Sequence, residues 1–241
     1  MQTNTDVHAS DRAPIRRGVW LLPIAGIIPA LLFTVIMLLP GGTDNPSDAQ
    51  AGAQQLADPF SLVFGGVFIA ALIGLILGFQ ALYAWLAGIG AARAWALTGL
   101  VLTVASATLN SMAWGAFTLA GKVVGDLYLS GHTGVVDAIQ PLSGGSFGAP
   151  IFAALIGASI LALLAAIAFG AALWRARAVP RWAAVALPLG FVLFSGSAPV
   201  VTPFGGLLML AGGVPLARAV GREGLGQTVP TGLREASRRT A

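Results

Sequence analysis

The chain has 241 residues, 56% hydrophobic and 9% charged, with a formal net charge of +4 and no cysteine. A soluble domain carries about 25% charged residues, so this composition excludes an ordinary water-soluble globule, and the missing thiols exclude disulfides, thiolate catalysis and cysteine metal sites. The basic residues flank long apolar runs, which makes the anionic inner leaflet of a membrane the partner surface and argues against nucleic acid.

Mean hydropathy is +0.84. In lipid every backbone group must be satisfied within the protein, so only helices or a closed barrel can cross. The apolar runs are continuous rather than alternating, which selects helices. The expected fold is all-α: a polytopic transmembrane helical bundle of six spans with both termini in the cytoplasm.

Residues 1–17 form a polar cytoplasmic tail with Arg12, Arg16 and Arg17. The first span, 18–39, is longer than the roughly 7–15 residues of a signal-peptide core, and no small-x-small site closes it, so a cleaved or twin-arginine signal is not expected. Pro23 and Pro29 each remove a backbone donor and should bend this helix. Residues 40–59 read as a loop holding Asp44, Asp48 and Asp58. The second span is 60–90, Arg93 marks a short turn, and the third span is 95–120. A second loop, 121–148, carries Lys122, Asp126, His132 and Asp137 before the fourth span, 149–174.

Residues 182–217 divide at a break from Ser195 to Pro203. Read as two short spans, 182–197 and 203–217, they complete a six-helix domain over 18–217 and return the basic tail, 218–241, to the side of the N-terminus. A single crossing would strand five arginines on the opposite face, from Arg218 to Arg239. With the N-terminus inside, the inner segments hold all 12 arginines and the outer segments hold Lys122 alone, which is the asymmetry that sets membrane orientation. Trp20, Trp95, Trp174 and Trp182 fall at the inner ends as an aromatic belt does.

None of the six spans contains Asp, Glu, Lys, Arg or His, so a proton relay or voltage sensor is not expected. Their polar content is concentrated in span three, where Thr103, Ser106 and Asn110 share a helix face with Trp114. These residues, with Gln80 of span two, are the candidate polar positions, either joining helices by hydrogen bonds or lining a solute path. A Gln80–Asn110 pair inside the bundle is expected. Gly74 and Gly78 form a small-xxx-small motif that should seat a neighbouring helix of the same chain. Residues 64–74 match 147–157 at seven of eleven positions, compatible with duplication of a two-helix unit or with convergent packing. His132, Asp126 and Asp137 have no metal-ligand spacing. No metalloprotease, nucleotide-loop or nucleophile-elbow motif is read. No catalysis, cofactor or metal is expected.

The turn Arg175-x-Arg177-x-Val179-Pro180-Arg181-Trp182, six short spans and an arginine-rich tail resemble the uncharacterised six-span integral membrane proteins of GC-rich bacteria. Use of 12 arginines against one lysine fits such a genome. The resemblance implies a bacterial cytoplasmic-membrane location and carries over no functional residue. The expected role is a non-catalytic structural or accessory membrane component; the alternative is a permease or channel for a neutral or lipid-like solute, lined by Thr103, Ser106 and Asn110.

The threading has a direct test on the cysteine-free background. Single cysteines at Asp48 and His132 should react with an impermeant maleimide added outside intact cells, and one at Ala178 should react only after permeabilisation.

Overall fold

The computed structural model describes residues 12–38, 49–90, 92–135, 148–177, 179–195 and 201–226. Among them are eight α-helices: α1 (Arg12–Val19), α2 (Leu21–Leu38), α3 (Ala49–Ala57), α4 (Pro59–Ile89), α5 (Arg93–Leu129), α6 (Gly148–Ala176), α7 (Arg181–Ser195) and α8 (Val201–Gly226), with a 3-10 turn at Thr133–Val135 and no strand. The expected positions of Asp44, Asp48, Asp137, Arg234, Arg238 and Arg239 lie outside the described residues.

Local chemistry sets the helix ends. Asp58 caps α4, its carboxylate accepting from the Phe60 amide at 2.8 Å, with Pro59 in the first position, where its missing N–H costs nothing. Gly90 ends α4 in the left-handed region at φ 78°. A proline ring clashes with the carbonyl four residues back, here Val19, and the helix is interrupted at Trp20 between α1 and α2, whereas Pro29 lies inside the unbroken α2.

Five helical segments are long and apolar enough to cross a membrane: Ala13–Val35, Pro59–Gly88, Arg93–Leu129, Pro150–Ala176 and Val201–Arg222. The shorter apolar helix α7 has 15 residues, about 22 Å at 1.5 Å per residue against a ~30 Å hydrocarbon core. The bundle's outer face is apolar: Leu31, Val101, Ile160 and Phe204 are each at least half exposed.

The six longer helices close into a ring in which α2 touches α4, α4 touches α5, and so on through α6, α7 and α8 back to α2. Each neighbour runs antiparallel to the last. Leu22 and Ala25 of α2 meet Gly78 and Gly74 of α4, so that small-xxx-small motif does seat a helix of the same chain. Gly65 and Ile69 of α4 meet Thr118 and Gly115 of α5, and Gly99 and Leu109 of α5 meet Phe169 and Gly157 of α6. Trp174 of α6 lies under Arg181 of α7 while Ser159 reaches Ser195. Leu187 and Phe194 of α7 meet Gly212 and Gly205 of α8, and Gly206 and Gly213 of α8 meet Ala30 and Pro23 of α2.

Alternation around the ring gathers Arg16, Arg17, Arg93, Arg175, Arg177, Arg181, Arg218 and Arg222 at one end. Asp58, Lys122, Asp126 and His132 lie at the other. The internal match also keeps phase: Ala70 and Ile73 face outward on α4, as Ala153 and Ile156 do on α6, an agreement that shared packing produces without duplication.

Four expectations need correction. Part of the first loop is helical, because α3, rich in alanine and glutamine, docks on α5. Gly125 lets the two backbones touch, since a Cβ there would stand 2.7 Å from the Ala53 carbonyl. For the same reason α5 does not stop at 120 but continues to Leu129, and Lys122 donates to the Ala57 carbonyl at 3.1 Å, closing the end of α3. The helix α8 runs past 217 to Gly226, carrying Arg218 and Arg222 on a helix rather than in a tail. The N-terminal helix begins at Arg12, ahead of the expected span start at 18.

The α7–α8 contact is made through glycine backbones. A Cβ on Gly205 would sit 2.5 Å from the Phe194 nitrogen, whereas one on Gly66 meets nothing within 4 Å. Gly205→Ala should therefore lower the stability of the detergent-solubilised protein by about 1–3 kcal/mol, the cost of overpacking. Gly66→Ala should leave it unchanged or raise it by up to ~1 kcal/mol through helix propensity. Denaturant titration followed by circular dichroism compares the two.

Candidate functional site

The polar stripe of α5 faces inward as its spacing implies. Thr103, Ser106 and Asn110 are at most 1% exposed. Each lies on the side of α5 turned toward α6 and α7, because residues three and seven apart return to one face.

Their bonds run to backbone, not to a cavity. Ser106 Oγ donates to the Ala158 carbonyl of α6 at 2.7 Å. Asn110 Nδ2 donates at 3.3 Å to the carbonyl of Ser195, the last residue of α7. Ser159, the lone hydroxyl of the fourth span, reaches the same carbonyl at 3.4 Å while also bonding Leu155 at 2.9 Å. Carbonyls at the end of a helix lack intrahelical donors, and Asn110 and Ser159 donate to the last described one of α7. Ser159 was legible only as the single polar residue in its span; its partner on α7 was not. Thr103 Oγ1 makes no hydrogen bond among the described residues.

Gln80 belongs to a different surface. It is exposed on the outer face of α4 beside Leu77, so the expected Gln80–Asn110 pair does not form. The register explains this. The Gly65–Thr118 and Ile69–Gly115 contacts place Asn110 level with Gly74, six residues or about 9 Å along the axis from Gln80. Phe79 and Leu82 take the inward positions instead.

Aromatic rings fill the axis that the stripe borders. Phe68 stacks on Phe194 at 5.2 Å, and Phe79 meets Phe169 at 4.8 Å and Phe191 at 5.1 Å. Trp114, which shares the stripe's face, lies 5.0 Å from Phe68. These contacts tie α4 to α5, α6 and α7 across the middle of the ring, and each such pair adds about 0.5–1.5 kcal/mol beyond its burial.

At the acidic end, Lys122 pairs with Asp126 at 3.0 Å, and His132 Nδ1 lies 3.1 Å from Ser130 Oγ on the exposed surface. Among the described residues no cluster of three His, Cys, Asp or Glu side chains is placed to hold a metal. Residues 144–148 do fit the letters G-x-S-x-G, which corrects the expectation that no such run occurs. A nucleophile elbow needs a strand-to-helix turn, and there is no strand among the described residues.

The basic end is more organised. Arg175 stacks on Trp95 at 5.0 Å and Arg181 on Trp174 at 5.2 Å. Arg177 ends α6 at φ 51°, the left-handed region that favours glycine, with its amide bonded to the Leu173 carbonyl at 3.3 Å. All three arginines line a cavity of about 750 Å³. The sequence marked this turn as basic but could not show that it is concave.

Replacing Asn110 with leucine should remove its bond to the Ser195 carbonyl and lower stability by roughly 0.6–2 kcal/mol in mixed-micelle unfolding. Gln80→Leu should change it by less than about 0.5 kcal/mol. No protein-family model, curated protein or solved structure matches the chain.

Proposed function

We propose that this chain is a non-catalytic structural or accessory component of a bacterial cytoplasmic membrane. It crosses six times and holds its arginine-rich end and both termini in the cytoplasm. One observation carries the reading: Ser106 and Asn110 of the polar stripe bond the backbones of neighbouring helices, and the ring axis beside it is occupied by Phe68, Phe79, Phe169, Phe191 and Phe194, all at most 1% exposed. A solute path would need those groups to face a wet lumen.

Six crossings are supported by the antiparallel packing of α7 on α8 and by the donors that let α7 end inside the hydrocarbon. Cytoplasmic placement of the basic end follows from the charge asymmetry of the chain.

Proteoliposomes test this against the permease alternative. Stopped-flow light scattering after a hyperosmotic glycerol or urea shock should show re-swelling at the rate of empty vesicles. Faster re-swelling that Ser106→Leu or Asn110→Leu abolishes would identify a solute path along α5 and overturn the proposal.

A further inference from the structure

We propose that the α6–α7 corner at the basic end is a binding site for one anionic phospholipid, with its phosphate among Arg175, Arg177 and Arg181 and an acyl chain along the outer groove between the two helices. The site rests on the membrane reading above but not on the number of crossings.

Two adjoining concavities carry the inference. The first is the basic cavity of about 750 Å³, whose walls include Trp174, Pro180 and the three arginines. The second is an apolar groove of about 540 Å³ bordered by Leu163, Ile167, Gly170, Pro188 and Val192. Trp174, Arg175 and Ala184 line both, so one opens into the other. The groove follows α6 from Trp174 to Leu163, eleven residues or about 16 Å. One leaflet is half of a ~30 Å hydrocarbon core. The combined shape is a charged head pocket with an oily slot of single-leaflet depth beneath it.

The head pocket is built for an oxyanion. Guanidinium donates five N–H bonds in a planar fork and grips phosphate through paired contacts. Stacking on Trp95 and Trp174 fixes two of the forks by their faces and leaves the in-plane N–H edges available. The third, Arg177, stands where glycine would close the helix more comfortably. No carboxylate among the described residues pairs with any of the three; the ion pair present there joins Lys122 and Asp126 at the opposite end. Among the described residues these arginines are thus left to meet an oxyanion, and the groove selects an anion that carries hydrocarbon.

The glycine in the groove gives a way to block it without touching charge. A Cβ on Gly170 would meet the Ala184 carbonyl and Pro188 Cγ at 3.8 Å, ordinary contact distance, so a larger side chain there can occupy the slot while the helices keep their spacing.

The test uses the full chain in neutral maltoside micelles, with tryptophan fluorescence quenched by phosphatidylglycerol or phosphatidylcholine brominated on the acyl chains. Phosphatidylglycerol should quench at about tenfold lower mole fraction than phosphatidylcholine. The double variant R177Q/R181Q should shrink that preference to about twofold or less, whereas R16Q/R17Q, at the same end but on α1, should retain it. Gly170→Leu should remove most of the phosphatidylglycerol quenching with every arginine in place, and inorganic phosphate should not restore the fluorescence. Equal quenching by both lipids would overturn the site. So would an equal loss in R16Q/R17Q, which would mean general surface charge, and so would full displacement by inorganic phosphate, which would mean a free-anion site. If R177Q/R181Q fails to fold by circular dichroism, Gly170→Leu decides: undiminished quenching overturns the proposal and lost quenching supports it. Micelles have no sides, so failure here leaves the threading untouched, and failure of the cysteine labelling leaves the lipid site untouched.

Discussion

A carbonyl left open at a helix end has to find a donor when no water is present to offer one. The requirement bears on Ser195, where the last described carbonyl of α7 is met by Asn110 from α5 and Ser159 from α6. Three helices are joined at one oxygen. Ser106, one turn away from Asn110, makes the companion bond to the Ala158 carbonyl. Polar residues that would suggest a path for solute in an isolated helix thus bond the backbones of neighbouring helices.

Around this seam the bundle coheres by contact rather than by exclusion of water, since lipid is as apolar as the residues it would displace. Two devices do this. Glycines bring backbones together where α8 meets α7 and α2, with Gly205, Gly206 and Gly212 leaving no room for a side chain. Phenylalanines do the reverse in the middle of the ring, filling space that helices of this diameter cannot close by themselves. Glycine at the seams and aromatic rings on the axis are thus complementary ways of packing the same ring of helices.

Charge divides the molecule along its length. The antiparallel circuit collects eight described arginines at one end and the Lys122–Asp126 pair at the other. At the basic end three of those arginines do more than mark a side: two are braced on tryptophan and the third ends a helix in a strained conformation. A single corner thereby gains a concave basic surface, without a carboxylate partner among the described residues, that scattered surface arginines lack.

Helical class, apolar outer face and the grouping of basic segments were legible in the residues, because run length and charge placement are properties of the chain taken one segment at a time. The inward face of Thr103, Ser106 and Asn110 was legible too, since their spacing returns to one side of a helix. Their partners were not. The expected bond between Asn110 and Gln80 required a register between α4 and α5, and register is set by where Gly65 and Gly115 allow the helices to touch. The short helix α3 and the extension of α5 were read as loop because neither is apolar enough to announce itself, and each is held by the other through Gly125 and Lys122. The cavity at Arg175, Arg177 and Arg181 likewise belongs to no single segment: it exists because two helices diverge from a tight turn, and only packing decides how far apart they stand.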